Sequence, residues 1–195
     1  RIESDLLKLA EEHADTIMVG RKHNVQALPI TFGFKVAGWA REIRRNIERL
    51  KQCRDRVFVI QLAGAVGTMA AFGPQGPKIQ ALVAEDLGLG LPDMTWHASR
   101  DRLVEFANLL SLIGLALGRI GQEVYRLMAT EVGEVIEPWQ VGVVGSSTMP
   151  HKVNPERSQH MMSLARKLRY NVSLINEVAV VDHERNLEHF LSERE

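Results

Sequence analysis

Three stretches of the chain carry apolar residues at alternating spacings of three and four, which is the pattern of a buried face on an α-helix. The longest stretch covers residues 99–128, the second residues 161–179 and the third residues 36–50. Additional apolar positions broaden the first stripe, so we expect more than one of its faces to be buried. The pattern predicts three long helices that pack as a bundle with crossing angles of roughly 20°.

The length of the first predicted helix bears on how the bundle is completed. Residues 99–128 would form a helix about 45 Å long, given a rise of about 1.5 Å per residue, which is too long for a compact domain of this size. We therefore expect an elongated bundle that completes its core with other subunits. Because the sequence begins at Arg1 in a helical pattern and stops at Glu195 in a charged run, we expect residues 1–195 to be one central helical-bundle domain of a longer chain.

Capping residues and chain breaks predict where the helices end. Ser99 and Thr31 are candidate N-caps, because their hydroxyls can accept the unpaired N–H groups of a first turn. Residues 78–87 predict a short helix that ends at Gly88. The run at residues 57–60 has the composition of a strand but stands alone, so we expect buried extended chain or helix there. The predicted fold class is all-α.

Composition and charge narrow the function classes. The chain has 24 Lys and Arg against 24 Asp and Glu, so nothing biases it electrostatically toward nucleic acid or an anionic membrane. The single cysteine, Cys53, excludes an intramolecular disulfide framework, and His151, His160 and His189 lack the spacing of a metal site. No apolar run of about 18 residues and no signal-peptide pattern is present, so we expect no membrane span and a cytoplasmic location.

Residues 145–155, with the sequence GSSTMPHKVNP, concentrate chemically useful side chains just before a long helix. The segment holds hydroxyls, an imidazole, an ammonium and a carboxamide between a glycine and two prolines. Small residues allow a ligand to approach, and backbone N–H groups near a helix start favour an anion. Lys152 would add a full positive charge for a carboxylate or phosphate. On the residues alone, an ordinary surface loop before a capped helix remains the alternative.

This segment resembles the signature loop of the fumarase/aspartase superfamily, G-S-S-x-M-P-x-K-x-N-P, and it matches every fixed position of that pattern. The resemblance covers nearly the whole chain. Two further segments are similar to conserved superfamily segments, namely VGRKH with ALPITFG (19–33) and GAVGT (64–68). Others resemble individual branches, namely WH (96–97), RDR (100–102) and TEVGEV (130–135) for 3-carboxy-cis,cis-muconate cycloisomerase, and HERNL (183–187) with Arg194 for adenylosuccinate lyase.

The resemblance implies a cofactor-free lyase or cycloisomerase that performs anti elimination or addition beside a carboxylate of a small polycarboxylate. By resemblance, Ser146 is the base that removes the proton α to that carboxylate, and His23 acts in or beside proton transfer. A serine hydroxyl can serve as a base only if its oxyanion is stabilised. The substrate-binding residues that the resemblance implies are Ser147, Met149, Lys152, Asn154, Arg185 and Arg194.

The chain departs from the superfamily pattern at four positions. Lys22 replaces the usual Thr before the histidine, and Val25 replaces a Gln that is usual in adenylosuccinate lyases. Gln159 replaces a Glu, so it can hydrogen-bond but cannot stabilise an imidazolium by charge. Phe190 occupies the place of a phosphate-binding Ser of adenylosuccinate lyases, whereas an aromatic residue there is usual in cycloisomerases.

Alternatives remain open for single residues and for the whole chain. The alternative role for His23 is a structural hydrogen bond. The alternative for Arg185 and Arg194 is that they are solvated charges on a helix surface. The preferred interpretation is the cycloisomerase branch, with adenylosuccinate lyase as the alternative and an inactive structural homologue or a plain helical scaffold as rivals. The resemblance also implies a homotetramer in which three subunits build each active site, with no nucleic acid or membrane partner.

Overall fold

The computed structural model describes residues 1–138, 145–149 and 151–186. Helices dominate this part of the chain, which confirms the predicted helical architecture, and one short hairpin is added to it. In chain order the elements are α1 (Ile2–Glu12), β1 (Ile17–Lys22), β2 (Val25–Thr31), α2 (Phe32–Val57), a 3₁₀ turn (Ala70–Gln75), α3 (Gly76–Leu87), α4 (Asp101–Leu127) and α5 (Glu156–Val178).

The helices α2, α4 and α5 coincide with the three predicted stripes. Thr31 caps α2, because its hydroxyl oxygen accepts the N–H of Phe34 at 3.1 Å, as predicted. The other cap prediction is wrong by one residue. The first bond of α4 runs from the N–H of Val104 to the carbonyl of Arg100, so Arg100 rather than Ser99 occupies the N-cap position. The short helix α3 ends as predicted at Gly88, whose φ of 65° closes the last turn.

The described residues group into two compact units. Unit 1 comprises Arg1–Ile47 with Leu112–Lys167, and unit 2 comprises Glu48–Ser111 with Leu168–Glu195. Each of the helices α2, α4 and α5 contributes residues to both units. That the chain is one central domain of a longer protein stays a prediction.

Small residues bring backbones together within unit 1. A Cβ added at Gly118 of α4 would lie 2.7 Å from the Cβ of Ala165 on α5, and one added at Gly121 would lie 3.0 Å from the carbonyl oxygen of Ser158. At the start of α2, a Cβ on Gly33 would lie 2.4 Å from the carbonyl oxygen of Ala10. These glycines therefore set how closely the helices pack.

The hairpin of β1 and β2 is the element that the sequence pattern missed. The strands pair antiparallel with Lys22 opposite Val25, so the turn contains only His23 and Asn24. Both turn residues have positive φ, 54° and 60°, which is the geometry of a type I′ turn. The usual sequence signal is Asn-Gly or Asp-Gly, and the proline at position 29 further disguises β2 as a loop.

In unit 2 the segment at residues 57–60 divides between the two outcomes predicted for it, with helix at its first residue and an isolated β-bridge at its third. Val59 forms an isolated parallel bridge with Gly90, and both Val59 and Ile60 are buried. The indole N–H of Trp96 donates to the carbonyl oxygen of Ile60 at 3.0 Å. Val57 itself ends α2.

The middle of α4 is strongly apolar. An 18-residue window of it has a mean hydropathy of 1.6, so its length and composition alone would allow a membrane span. The core helix of a soluble bundle has the same properties. Only 22% of that window is buried within the chain, and Leu103, Leu112 and Leu115 are half exposed.

Candidate functional site

Two backbone N–H groups of the same loop donate to the side chain of Ser146. Its oxygen accepts hydrogen bonds from the N–H of Thr148 at 3.4 Å and from the N–H of Met149 at 3.2 Å. A second turn follows, because the N–H of Lys152 donates to the carbonyl oxygen of Met149 at 3.0 Å. Donors aimed at a hydroxyl oxygen stabilise the negative charge that this oxygen would carry after losing its proton.

Asn154 ties the two ends of the signature loop together. Its side-chain amide donates to the carbonyl oxygen of Gly145 at 2.5 Å. Asn154 is half-buried, whereas Ser147, Met149 and Lys152 are exposed on the same loop. The described part of the loop therefore presents a hydroxyl, a thioether and an ammonium to the outside around the partly covered Ser146.

The N-terminus of α5, which directly follows the loop, is capped by a distant carboxylate. One oxygen of Glu137 accepts the N–H of Ser158 at 2.8 Å and its hydroxyl at 2.5 Å, and the other accepts the N–H of Arg157 at 3.1 Å. Burial alone would raise the pKa of Glu137, but these hydrogen bonds outweigh it and hold the pKa below its ordinary value. The anion-binding end of α5 is therefore occupied by the protein's own carboxylate.

His23 sits exposed at the tip of the hairpin, in the left-handed conformation that few residues other than glycine adopt. Neighbours hold this turn. A guanidinium N–H of Arg126 on α4 donates to the side-chain oxygen of Asn24 at 2.6 Å. On β1, Arg21 forms a two-pronged ion pair with Glu134 at 2.6 and 2.9 Å. Among the described residues no hydrogen bond joins His23 to the signature loop.

Unit 2 holds a second group of candidate residues. Burial, followed by the positive charges of Arg185 and Arg100, lowers the pKa of His97. Burial and then Arg185 lower the pKa of Arg100, and the guanidinium of Arg100 donates to the carbonyl oxygen of His97 at 3.4 Å. Three basic side chains thus lie near one another, which is a suitable setting for an anion.

The structure separates the predicted site residues into two sets. Unit 1 contains His23, Ser146, Ser147, Met149, Lys152 and Asn154, whereas Arg185 belongs to unit 2. Arg194 lies outside the described residues. Gln159, which replaces the superfamily glutamate, lies exposed in the first turn of α5. Within the described ranges, no group of three or more His, Cys, Asp or Glu is placed to hold a metal ion.

A cavity of about 1250 Å³ opens within unit 1. Its walls come from α1, the hairpin, the start of α2, the end of α4 and residues 133–138, and Val153 of the signature loop also lines it. Most of the lining side chains are apolar.

Sequence reasoning missed Glu134, Glu137 and Arg126. The pair of Arg21 and Glu134 joins residues 113 positions apart, so no local pattern reveals it. The available signal was the density of acidic residues in the segment TEVGEVIEP at residues 130–138, which ends a few residues before the signature loop. A carboxylate that precedes a helix start is a candidate cap, although here it acts from 20 residues upstream.

The fold and the loop together define a class of enzymes, and comparisons with known proteins identify it. A family model described as Lyase matches residues 1–169. A crystal structure of 3-carboxy-cis,cis-muconate lactonizing enzyme from Pseudomonas putida superimposes with a TM-score of 0.92 at 40% identity, covering 99% of this chain and 43% of that one. The chain belongs to this lyase family, within the fumarase/aspartase superfamily.

Relatives with different substrates are about equally similar. The chain is 46% identical over 182 residues to N-acetyl-S-(2-succino)cysteine lyase of Dickeya dadantii. It is 45% identical over 193 residues to 3-carboxy-cis,cis-muconate cycloisomerase of Pseudomonas aeruginosa, and 44% identical over 196 residues to adenylosuccinate lyase of Pyrococcus abyssi. These matches cover 93%, 95% and 99% of this chain, which spans 40%, 42% and 43% of the relatives' lengths.

Proposed function

We propose that the full protein catalyses anti elimination or addition beside a carboxylate of a small polycarboxylate, without a cofactor. The observation that carries the proposal is the pair of backbone N–H groups, from Thr148 and Met149, that point at the oxygen of Ser146. They would stabilise a serine alkoxide, which is what a serine base requires. The matched signature loop and the family membership support the same chemistry.

The reaction that we propose proceeds through a carbanion. The Ser146 oxygen takes the proton from the carbon next to a carboxylate, and the electron pair moves onto that carboxylate. The carbon–carbon double bond then forms as the leaving group departs with its bonding electrons and gains a proton from a general acid. Lys152 and Asn154 hold the carboxylate and favour its extra negative charge. His23 acts in or beside the second proton transfer.

For the substrate we propose the cycloisomerase branch, that is, 3-carboxymuconate or a compound like it. Phe190 supports this choice, because a phenyl ring cannot bind the phosphate that adenylosuccinate carries. A second candidate is elimination of a thiol from an S-succinyl compound, which is favoured by the 46% identity to N-acetyl-S-(2-succino)cysteine lyase. Adenylosuccinate remains the third substrate to test.

We also propose a cytoplasmic homotetramer in which subunits share active sites. The half-exposed leucines of α4, together with exposed Leu164 and Tyr170 on α5, present apolar surface that the described part of the chain leaves uncovered. Other copies of the same helices would cover it. Arg185 and Arg194 would then reach the substrate from a neighbouring subunit.

A substrate panel on the full-length protein tests the proposal. Carboxymuconate, N-acetyl-S-(2-succino)cysteine, adenylosuccinate, argininosuccinate, and fumarate with amines are each followed by ultraviolet absorbance. We expect turnover of one of the first two, and S146A should lower kcat by about 10²- to 10⁴-fold with unchanged thermal unfolding. The matched control S173A removes an exposed hydroxyl on α5, which donates to the carbonyl oxygen of Arg169, and should keep full activity. Unchanged turnover in S146A would refute the assigned base, and no turnover of any substrate would favour an inactive homologue.

A further inference from the structure

The helix α5 begins after a proline, which cannot cap it through its side chain. The N–H of Gln159 donates to the carbonyl oxygen of Pro155 at 3.0 Å, so Pro155 occupies the N-cap position. An N-cap side chain normally accepts the second or third N–H of its helix, and proline carries no side-chain oxygen that could do so. The N–H groups of Arg157 and Ser158 therefore need another acceptor, and only 3% of Ser158 is exposed to water.

Asn154 is the nearest preceding residue whose side chain carries an acceptor oxygen, and asparagine is one of the preferred capping residues. Its side-chain amide is engaged in the signature loop, where it donates to the carbonyl oxygen of Gly145 at 2.5 Å. Its backbone carbonyl accepts the N–H of Glu156 at 2.9 Å. Asn154 therefore belongs to the loop through its side chain and to the start of α5 through its backbone.

Glu137 takes the capping role instead. Its two oxygens accept the N–H groups of Ser158 at 2.8 Å and of Arg157 at 3.1 Å, and the hydroxyl of Ser158 adds a third bond at 2.5 Å. One carboxylate thus satisfies both N–H groups that an N-cap side chain would serve, and its negative charge is favourable at a helix start. All these groups belong to unit 1 of one chain, so the contact does not depend on which subunits build an active site.

We propose that Glu137 is a positioning residue for the signature loop, because its capping of α5 leaves the side chain of Asn154 bonded to Gly145. When Glu137 is removed, the side-chain oxygen of Asn154 is the replacement acceptor that lies nearest along the chain. By turning toward α5, Asn154 gives up the bond that ties the ends of the loop, and the turn around Ser146 loses its anchor. The catalytic meaning of this step rests on the proposed function, whereas the step itself requires only these hydrogen bonds.

Hydrogen–deuterium exchange tests the positioning step in the full-length protein without any substrate. Glu137→Ala should speed exchange in the first turn of α5 and also at the N–H groups of Thr148, Met149 and Lys152, whose hydrogen bonds lie within the loop. The loss of one hydrogen bond corresponds to about a 2- to 10-fold faster exchange. Faster exchange confined to α5 would overturn the proposal, because a cap of purely local importance would act there alone.

A double-variant cycle tests directly whether Asn154 changes its partner. Asn154→Ala opens the loop by removing the same bond to Gly145, so the addition of Glu137→Ala should not speed exchange in the loop any further. In the first turn of α5, the double variant should exchange faster than Glu137→Ala alone, because the replacement acceptor is gone. Additive effects in the loop, or equal exchange at α5 in the two variants, would overturn the proposal.

Conservative variants set the scale of these effects. Glu137→Gln keeps one acceptor oxygen and should show a smaller effect than Glu137→Ala in both segments. Ser158→Ala removes the hydroxyl but keeps both N–H contacts with Glu137, so exchange in the loop should stay near that of the parent protein. The matched control Glu42→Gln breaks the ion pair of another carboxylate with Arg119 in unit 1 and should leave both segments unchanged. Equal effects of Glu42→Gln and Glu137→Ala would refute a specific role of Glu137.

Kinetics test the catalytic meaning on whichever substrate the full-length protein turns over. Glu137→Ala should lower kcat by about 10-fold or more, because a misplaced base reacts slowly, and should change KM less, because Lys152 keeps its charge. Addition of Asn154→Ala should not lower kcat below that of the slower single variant. A kcat for Glu137→Ala as high as that of the Glu42→Gln control would contradict the positioning role.

The outcomes separate this proposal from the proposed function. Faster exchange in both the loop and α5, with no turnover by the parent protein, would refute the proposed function and keep Glu137 as a residue that orders the loop. Turnover by the parent protein, with the effects of Glu137→Ala confined to α5, would refute the positioning role and keep the proposed function.

Discussion

The backbone N–H of Met149 donates a hydrogen bond of 3.2 Å to the side-chain oxygen of Ser146. Met149 therefore contacts Ser146 through a backbone group that every substitution except proline would keep. Its thioether, which the family resemblance implies as a substrate contact, is exposed. For the proposed serine base, the stabilising donor is therefore built into the turn of the loop.

Loss of the charge on Lys152 should weaken substrate binding. In K152Q we expect KM for the active polycarboxylate to rise by about 10- to 100-fold, since a hydrogen bond to a charged group is worth about 1.5–3 kcal/mol. The wild-type KM should rise with salt, and that of K152Q should rise less. Steady-state kinetics at two ionic strengths check this, with K167Q on the exposed side of α5 as the control. Equal KM values for K152Q and K167Q would contradict the assignment.

Removal of the Asn154 side chain should loosen the signature loop. N154A loses the bond to the carbonyl oxygen of Gly145, worth about 0.5–1.5 kcal/mol, and frees the loop's first residue. We expect faster proteolysis within the loop and a lower kcat, with a small change in thermal midpoint. Limited proteolysis with mass spectrometry measures the first effect. The control N176A removes a comparable side-chain bond to the carbonyl oxygen of Val172 in α5 and should leave loop cleavage unchanged.

Much of this fold could be predicted from local sequence pattern, because a helix shows its apolar residues at spacings of three and four within a few turns. The three stripes predicted α2, α4 and α5, and the hydroxyl of Thr31 predicted its cap. The hairpin escaped notice because its turn uses His23 and Asn24 instead of the usual Asn-Gly or Asp-Gly, and a side chain from elsewhere supports the turn. That support comes from Arg126 on α4, about 100 positions away in the chain.

The candidate site shows the same division between features set by neighbouring residues and features set by distant ones. The signature loop was found because its residues are contiguous, and the resemblance supplied their roles. The pairing of Arg21 with Glu134 and the capping of α5 by Glu137 were not found, because only the folded chain brings these groups together. What sequence patterns cannot express is the partner of a charge, since a carboxylate looks the same whether it faces water or a guanidinium.

Protein stability should depend on pH through His97. Its folded-state pKa lies below the ordinary value of 6.5, so the folded protein binds fewer protons than the unfolded chain between these two pKa values. Stability should therefore fall as the pH is lowered from about 6.5 through the folded pKa. In H97N this part of the slope should disappear, as measured by urea unfolding between about pH 5 and 7. Replacing Arg185 by Gln removes one cause of the shift and should make the slope smaller; an unchanged slope in H97N would contradict the prediction.

Close packing at the start of α2 should make Gly33 intolerant of any side chain. In G33A the new methyl group would meet the carbonyl oxygens of Ala10 and His13, so the backbone must move. We expect a loss of stability of about 1–3 kcal/mol. Gly38, five residues further along the same helix, has nothing within 4 Å of an added Cβ, so G38A should gain up to about 1 kcal/mol. Thermal unfolding of the two variants should shift in opposite directions.

The two-residue turn of the hairpin limits how this enzyme family member can be altered by engineering. Since Lys22 pairs directly with Val25, a single inserted or deleted residue would shift the strand register and send alternate side chains to the other face. Arg21 would then point away from Glu134, and His23 would leave its place at the tip. Libraries that vary this hairpin should therefore substitute residues without changing the length of its turn. Insertions and deletions belong in segments whose backbone is not paired in a sheet.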